Sequence, residues 1–132
     1  MANAHSRPIA PHLSVWRWHA TMLSSILHRA TGIGNYLGAV ALVIWLVLLA
    51  TNSEPLVGFL FEGPMEWVTR IGLIALTWSA SYHWFNGLRH LAWDAGTGFD
   101  PQGSNLRSLI IIVLSVIATA AIWFAALTGG AS

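Results

Sequence analysis

From Ala30 to Ser53 the chain runs for 24 residues without a charged side chain, and the centre of that run, Tyr36 to Ala50, is almost entirely apolar. An α-helix of that length rises about 36 Å, more than the ~30 Å hydrocarbon core of a bilayer. A helix closes its backbone hydrogen bonds within itself, which is the condition for crossing lipid. Two further stretches repeat the pattern. Ser108 to Leu127 is uncharged and rich in Ile, Val, Leu and Ala, a plain membrane helix. Met65 to about Arg89 is the most polar, interrupted by Arg70, Thr77, Ser79, Ser81, His83 and Asn86. A span carrying such groups must turn them toward protein or a cofactor. The expected fold is all-α: one integral membrane domain over 1–132, with an N-terminal interfacial segment over about 1–29 and three transmembrane helices near 30–52, 65–89 and 107–128.

Charge placement orients these spans. Arg7, Arg17 and Arg29 precede the first, Arg89 and Arg107 bound the second loop, and the first loop holds Glu54, Glu62 and Glu66 without a basic residue. The positive-inside rule then puts the N-terminus and second loop in the cytoplasm and the C-terminus outside. Arg70, close to the outer end of the second span, is the exception and is expected to snorkel to the interface or pair within the protein. The first 29 residues have no early apolar core and resemble neither a secretory signal nor a transit peptide, so a bacterial inner membrane is the expected location.

Only 8% of the residues are charged, about a third of the share usual in a soluble domain. A soluble globular enzyme is thereby excluded, and a net charge of +1 leaves no basic stripe for a nucleic-acid backbone. Without cysteine there is no disulfide, no thiolate-held iron–sulfur cluster and no covalently attached haem. Any metal must be held by histidine or carboxylate. Trp16, Trp18, Trp67 and Trp93 fall near the expected membrane surfaces, as an aromatic belt requires. Pro8 and Pro11 break any early helix, Trp16 to His28 reads as an interfacial lead into the first span, and Gly96 to Gly103 reads as a tight connector. Gly34 and Gly38, extended backward by Ala30, form a GxxxG face on which another helix can pack closely.

The chain has six histidines and no lysine, and three of them, His28, His83 and His90, fall in two polar clusters at the same side of the membrane. Ser25, His28, Arg29 and Gly32 share one helical face before the first span, and His83, Asn86, Gly87, His90 and Asp94 share one at the end of the second. His83 lies six residues before Arg89, about 9 Å below the boundary and inside hydrocarbon. An imidazole there needs a partner, because an unsatisfied polar group in lipid costs several kcal/mol. Two readings fit: a histidine hydrogen-bonded between helices, or an axial haem ligand, with Gly87 clearing space for a flat macrocycle and Arg29, His28, Arg89 and His90 meeting its propionates. Ser25 and Arg29, one turn apart, either bind a quinone head group, the guanidinium stabilising charge that develops on reduction, or cap the helix and pair with phospholipid. Zinc fits less well, since His83 and His90 are seven apart without an evident third ligand. No nucleotide loop, Ser-His-Asp order or paired carboxylates can be read.

Three stretches in order carry a family resemblance. Arg7-Pro8-Ile9-Ala10-Pro11-His12-Leu13 resembles an RPxSPHL opening, Ser25 to Gly32 matches S-I-x-H-R-x-T/S-G, and His83 to Asp94 matches H-x-x-N-G-x-R-H-L-x-W-D. Together they resemble the cytochrome b subunit of succinate dehydrogenase, the larger membrane anchor of respiratory complex II. Ala10 stands where serine is usual and Trp16 where a tyrosine often follows. The resemblance implies a helical bundle shared with a second small anchor, and a complex with a flavoprotein and an iron–sulfur subunit that passes electrons from succinate to ubiquinone. This chain alone would have no activity. By the same resemblance His83 is an axial ligand of haem b, opposite a histidine from the second anchor. Ser25 and Arg29 are the quinone-site pair, and His28, His90 and Arg89 lie near the propionates. The alternatives are the anchor of a fumarate reductase, or a haem-free membrane interaction subunit. A proton-coupled transporter is the weaker idea, because no acid falls at the centre of a span.

Overall fold

The computed structural model describes residue 14 and residues 16–129, so the Arg7 to Leu13 motif lies outside the described residues, as do Pro8 and Pro11. Among the described residues the chain forms four helices: α1 (Ala20–Ala50), α2 (Glu54–Phe61), α3 (Glu66–Asp94) and α4 (Pro101–Gly129). Trp16 to His19 have no regular structure and α1 starts at Ala20, so residues 20–29 of the expected interfacial segment are helical and continuous with the first apolar span. The cause is local and tertiary at once: no Gly or Pro lies between Ala20 and Thr31, and Thr21 and Ser24 bond to the neighbouring helices. The first loop carries α2, which the sequence reading missed; with Pro55 in its opening turn, its eight residues are too few to display a helical period.

The helix ends follow from identifiable residues. Asn52 at φ 52° and Gly96 at φ 79° take the left-handed conformation that closes α1 and α3. In each case two amides turn back onto the last carbonyls: Asn52 to Leu49 and Ser53 to Leu48 at 3.2 and 3.0 Å, Gly96 to Trp93 and Thr97 to Ala92 at 2.8 and 3.0 Å. At the start of α4 the Asp100 carboxylate accepts from the Gly103 amide at 2.7 Å and from Arg107 at 2.8 Å, just before Pro101. The Arg107 bond, then the Gly103 amide, hold this carboxyl below its ordinary range.

The packing is polar inside and apolar outside. Ser24, Thr31, Ser79, Asn86, Arg89, Ser104, Ser108, Ser115 and Thr119 are buried, while the described leucines and valines lie mostly at the surface and only Tyr82 and Ile111 are buried among the large apolar side chains. In water such an exterior would be an aggregation surface. In lipid, which is as apolar as leucine, helices associate through small residues and interhelical hydrogen bonds instead. Of the four helices, α1 and α4 are long and apolar enough to cross a membrane, whereas α3 matches their length but carries too many polar groups to pass on composition. The GxxxG expectation is met by α3: Ser79 donates to Asn35 at 2.8 Å and to the Thr31 carbonyl at 3.2 Å, and a side chain on Gly38 would overlap Leu76. Arg70 pairs with Glu66 at 2.6 Å and lies over the Trp67 ring.

Candidate functional site

Antiparallel packing of α1 on α3 brings the two histidine clusters together. His28 lies between the other two: its ring stacks on His83 with centroids 4.1 Å apart and on His90 at 4.7 Å, the planes within 14° and 19° of parallel. His90 in turn meets Trp93 edge-on at 4.9 Å. His83 Nδ1 donates to the His28 carbonyl at 3.2 Å, with Thr31 Oγ1 at 3.3 Å. A carbonyl only accepts, so the neutral ring carries its proton on Nδ1 and leaves a lone pair on Nε2. His90 does the same within its own helix, Nδ1 donating to the Asn86 carbonyl at 2.8 Å. Gly32 lets the His83 ring approach, since a Cβ there would stand 3.2 Å from its Cε1, while nothing lies within 4 Å of the Cβ position at Gly87.

Ser25 and Arg29 take no part in this hydrogen-bonded set. Ser25 is half-buried, Arg29 is exposed, and neither makes a side-chain hydrogen bond or ion pair among the described residues. Arg89, by contrast, is 6% exposed and turns into the helix contact. It donates through one terminal nitrogen to Ser108 and through the other to Ser24 at 3.0 Å, and its guanidinium lies 4.6 Å over the Trp93 ring. Ser24 Oγ donates to Asn86 at 3.0 Å and sits 2.8 Å from the Tyr82 hydroxyl, which donates to the Ser24 carbonyl. A second interhelical contact lies beside it: Asn105 Oδ1 accepts from the Thr21 amide at 3.2 Å and from Thr21 Oγ1 at 2.5 Å. Among the described residues, three buried nitrogens in this region have no hydrogen-bond partner: His28 Nδ1, Asn86 Nδ2 and Arg89 Nε. A cavity of about 560 Å³ lies between α1, α2 and α3 around Gly38, Trp45 and Leu76, and none of the expected site residues lines it.

A family model described as succinate dehydrogenase/fumarate reductase transmembrane subunit matches residues 3–122. The chain belongs to this family. Its relatives include the succinate dehydrogenase cytochrome b556 subunit of Rickettsia prowazekii (strain Madrid E), 33% identical over 119 residues that cover 90% of this chain and 92% of that protein. The cytochrome b556 subunit of Paracoccus denitrificans is 35% identical over 87% of this chain and 88% of its own. The mitochondrial cytochrome b560 subunit of Homo sapiens is 33% identical over 86% of this chain and 68% of its own.

For this succinate dehydrogenase-type anchor, sequence reasoning singled out the histidine faces and left Ser24, Tyr82, Ser104, Asn105 and Ser108 unassigned. Serines four apart, Ser104 and Ser108, with Asn105 between them at the start of an otherwise apolar helix, were the available signal. The sequence pattern gives a plain apolar span only from Ser108 to Leu127, whereas α4 begins at Pro101, inside the expected connector. The first turns of α4 carry the partners of Thr21 and Arg89.

Proposed function

We propose that this chain is the membrane-anchoring cytochrome b subunit of a succinate:quinone oxidoreductase, crossing a bacterial inner membrane three times with its N-terminus in the cytoplasm. In this reading it holds haem b together with a second small anchor and builds part of the ubiquinone-reducing pocket against a docked iron–sulfur subunit, with the flavoprotein beyond it. The observation that carries the reading is the His83 ring, whose Nδ1 is committed to the His28 carbonyl at 3.2 Å. A ligating histidine in proteins almost always donates its other N–H in this way, which fixes the tautomer and raises the basicity of the ligating nitrogen.

The residues present fit the group. His83 offers Nε2, the open space over Gly87 admits a flat ring system, and the unpartnered His28 Nδ1, with His90 and the free Arg29, supplies donors for propionates at the boundary. Arg89 reaches this set only through its neighbours, being held by Ser24 and Ser108. Haem bound there supplies a one-electron redox centre. His83 satisfies Nδ1 of its own ring in hydrocarbon and leaves Nε2 for the iron. Ser25 and Arg29 keep their polar atoms free for a quinone: the serine hydroxyl donates to one carbonyl oxygen, and the guanidinium holds the negative charge that develops there on reduction.

The test is Arg29→Ala in the purified complex. Ubiquinone reductase activity falls at least about tenfold, the loss of one charge-assisted interaction at a developing anion, while dye-linked succinate oxidation stays at wild type. Both activities at wild-type level would remove Arg29 from the quinone site. The favoured direction of catalysis by the same complex separates succinate oxidation from fumarate reduction.

A further inference from the structure

We infer that Asn105 is a positioning residue of the quinone pocket: from α4 it caps the start of α1 and sets where Ser25 and Arg29 stand. The inference rests on the quinone reading of those two residues and adds the element that holds them.

The first turn of a helix exposes amides that an N-cap side chain ordinarily accepts, from the second or third helical residue. α1 has no such cap of its own. His19 occupies the N-cap position with extended backbone, and its ring turns back to the Arg17 carbonyl at 2.9 Å. The second amide of the helix, that of Thr21, is taken by Asn105 Oδ1 at 3.2 Å, and the Thr21 hydroxyl adds a bond to the same oxygen at 2.5 Å. Asn105 therefore performs the capping role from a different helix. An ordinary cap fixes only where a helix begins; a cap from α4 also fixes how far α1 is advanced along its axis and which way it is turned.

The second point of attachment makes this a clamp. Three residues on from Thr21, Ser24 is bound by Arg89, which also binds Ser108, three residues on from Asn105. Two adjacent points on α1 are thus tied to two adjacent points on α4, one directly and one through a buried guanidinium. Ser25 follows Thr21 by one helical turn and Arg29 by two. Among the described residues neither makes a side-chain hydrogen bond or ion pair that would hold it, so their positions follow the backbone of α1. A displacement of about 1 Å at a substrate-positioning group is enough to change rates severalfold to a hundredfold.

The experiment uses the whole purified complex with a short-tailed ubiquinone analogue, dye-linked succinate oxidation and the reduced-minus-oxidised haem spectrum. Asn105→Leu removes the acceptor and raises KM for the quinone about five- to tenfold, with kcat within about twofold, and with dye-linked activity and spectrum unchanged. Asn105→Asp keeps an acceptor oxygen at the positive end of α1 and restores KM to near wild type. Thr21→Val, which loses the hydroxyl bond and keeps the amide bond, gives a smaller rise and decides the matter should the leucine variant fail to assemble. A wild-type KM in Asn105→Leu, an aspartate variant as impaired as the leucine one, or a parallel loss of dye-linked activity overturns the inference. So does a wild-type KM in Thr21→Val where the leucine variant does not assemble. Arg29→Ala in the same assay keeps the two readings apart. If it is impaired while Asn105→Leu is normal, only the positioning role fails; if it is normal, the quinone assignment fails and the positioning role with it.

Discussion

Ser24→Ala is the most informative change to the packing. Ser24 is fully buried, and its hydroxyl joins α1 to three side chains of α3: Tyr82 at 2.8 Å, Asn86 at 3.0 Å and Arg89 at 3.0 Å. Tyr82 keeps a partner in the variant, because it also donates to the Ser24 carbonyl at 2.9 Å. Asn86 Oδ1 and one Arg89 nitrogen do not, and they join Asn86 Nδ2 and Arg89 Nε, which already have no partner. Interhelical hydrogen bonds within membranes average about 0.6 kcal/mol and reach about 1.7. A buried group left unpaired costs about 1–3 kcal/mol, more when charged. Two such losses, one of them at a guanidinium, give an expected destabilisation of about 2–3 kcal/mol. Unfolding of the chain by SDS in mixed micelles measures it, with Asn86→Leu and the double variant completing a cycle. The double variant should fall short of the sum of the singles by about 1 kcal/mol, because both remove the same bond. A Ser24→Ala effect below about 0.5 kcal/mol together with strict additivity would refute the reasoning, since the hydroxyl would then be as well solvated in the unfolded state as in the network.

Three further outcomes follow from single contacts. His83→Leu in the purified complex should abolish or shift the reduced haem band, and an unchanged spectrum would remove His83 as ligand. At Gly38 an added side chain meets Leu76, so Gly38→Ala should cost about 1 kcal/mol as Leu76 rotates and Gly38→Val about 2–3, read from the same SDS unfolding; equal stability of all three would deny the close approach of α1 and α3. Arg107 holds the Asp100 carboxyl below its ordinary range, so its contribution to the α4 cap is complete above the ordinary carboxylate value and is lost only as pH falls through the lowered one. Hydrogen exchange at the Gly103 amide should stay protected at about pH 4 and open below it, whereas opening already at about pH 4 would place the carboxyl at its unperturbed value.

The sequence by itself determined the helical, membrane-embedded class and the residues that face one another across it. Long uncharged runs leave a helix as the way to bury backbone in lipid, and the spacing of His28, His83 and His90 puts them on faces that must meet once α1 and α3 pack antiparallel. The GxxxG face was legible for the same reason, since it is a property of one helix. What the sequence could not supply was the partner of each polar group. Arg89 reads as a boundary charge on its own helix, and only the approach of α1 and α4 turns it inward between Ser24 and Ser108. Asn105 reads as the fringe of an apolar span, and only the packing of α4 beside the start of α1 makes it a cap for Thr21. In a fold whose interior is made of hydrogen bonds between helices, a periodic pattern names the face, while the rotation and axial offset of neighbouring helices decide which donor meets which acceptor.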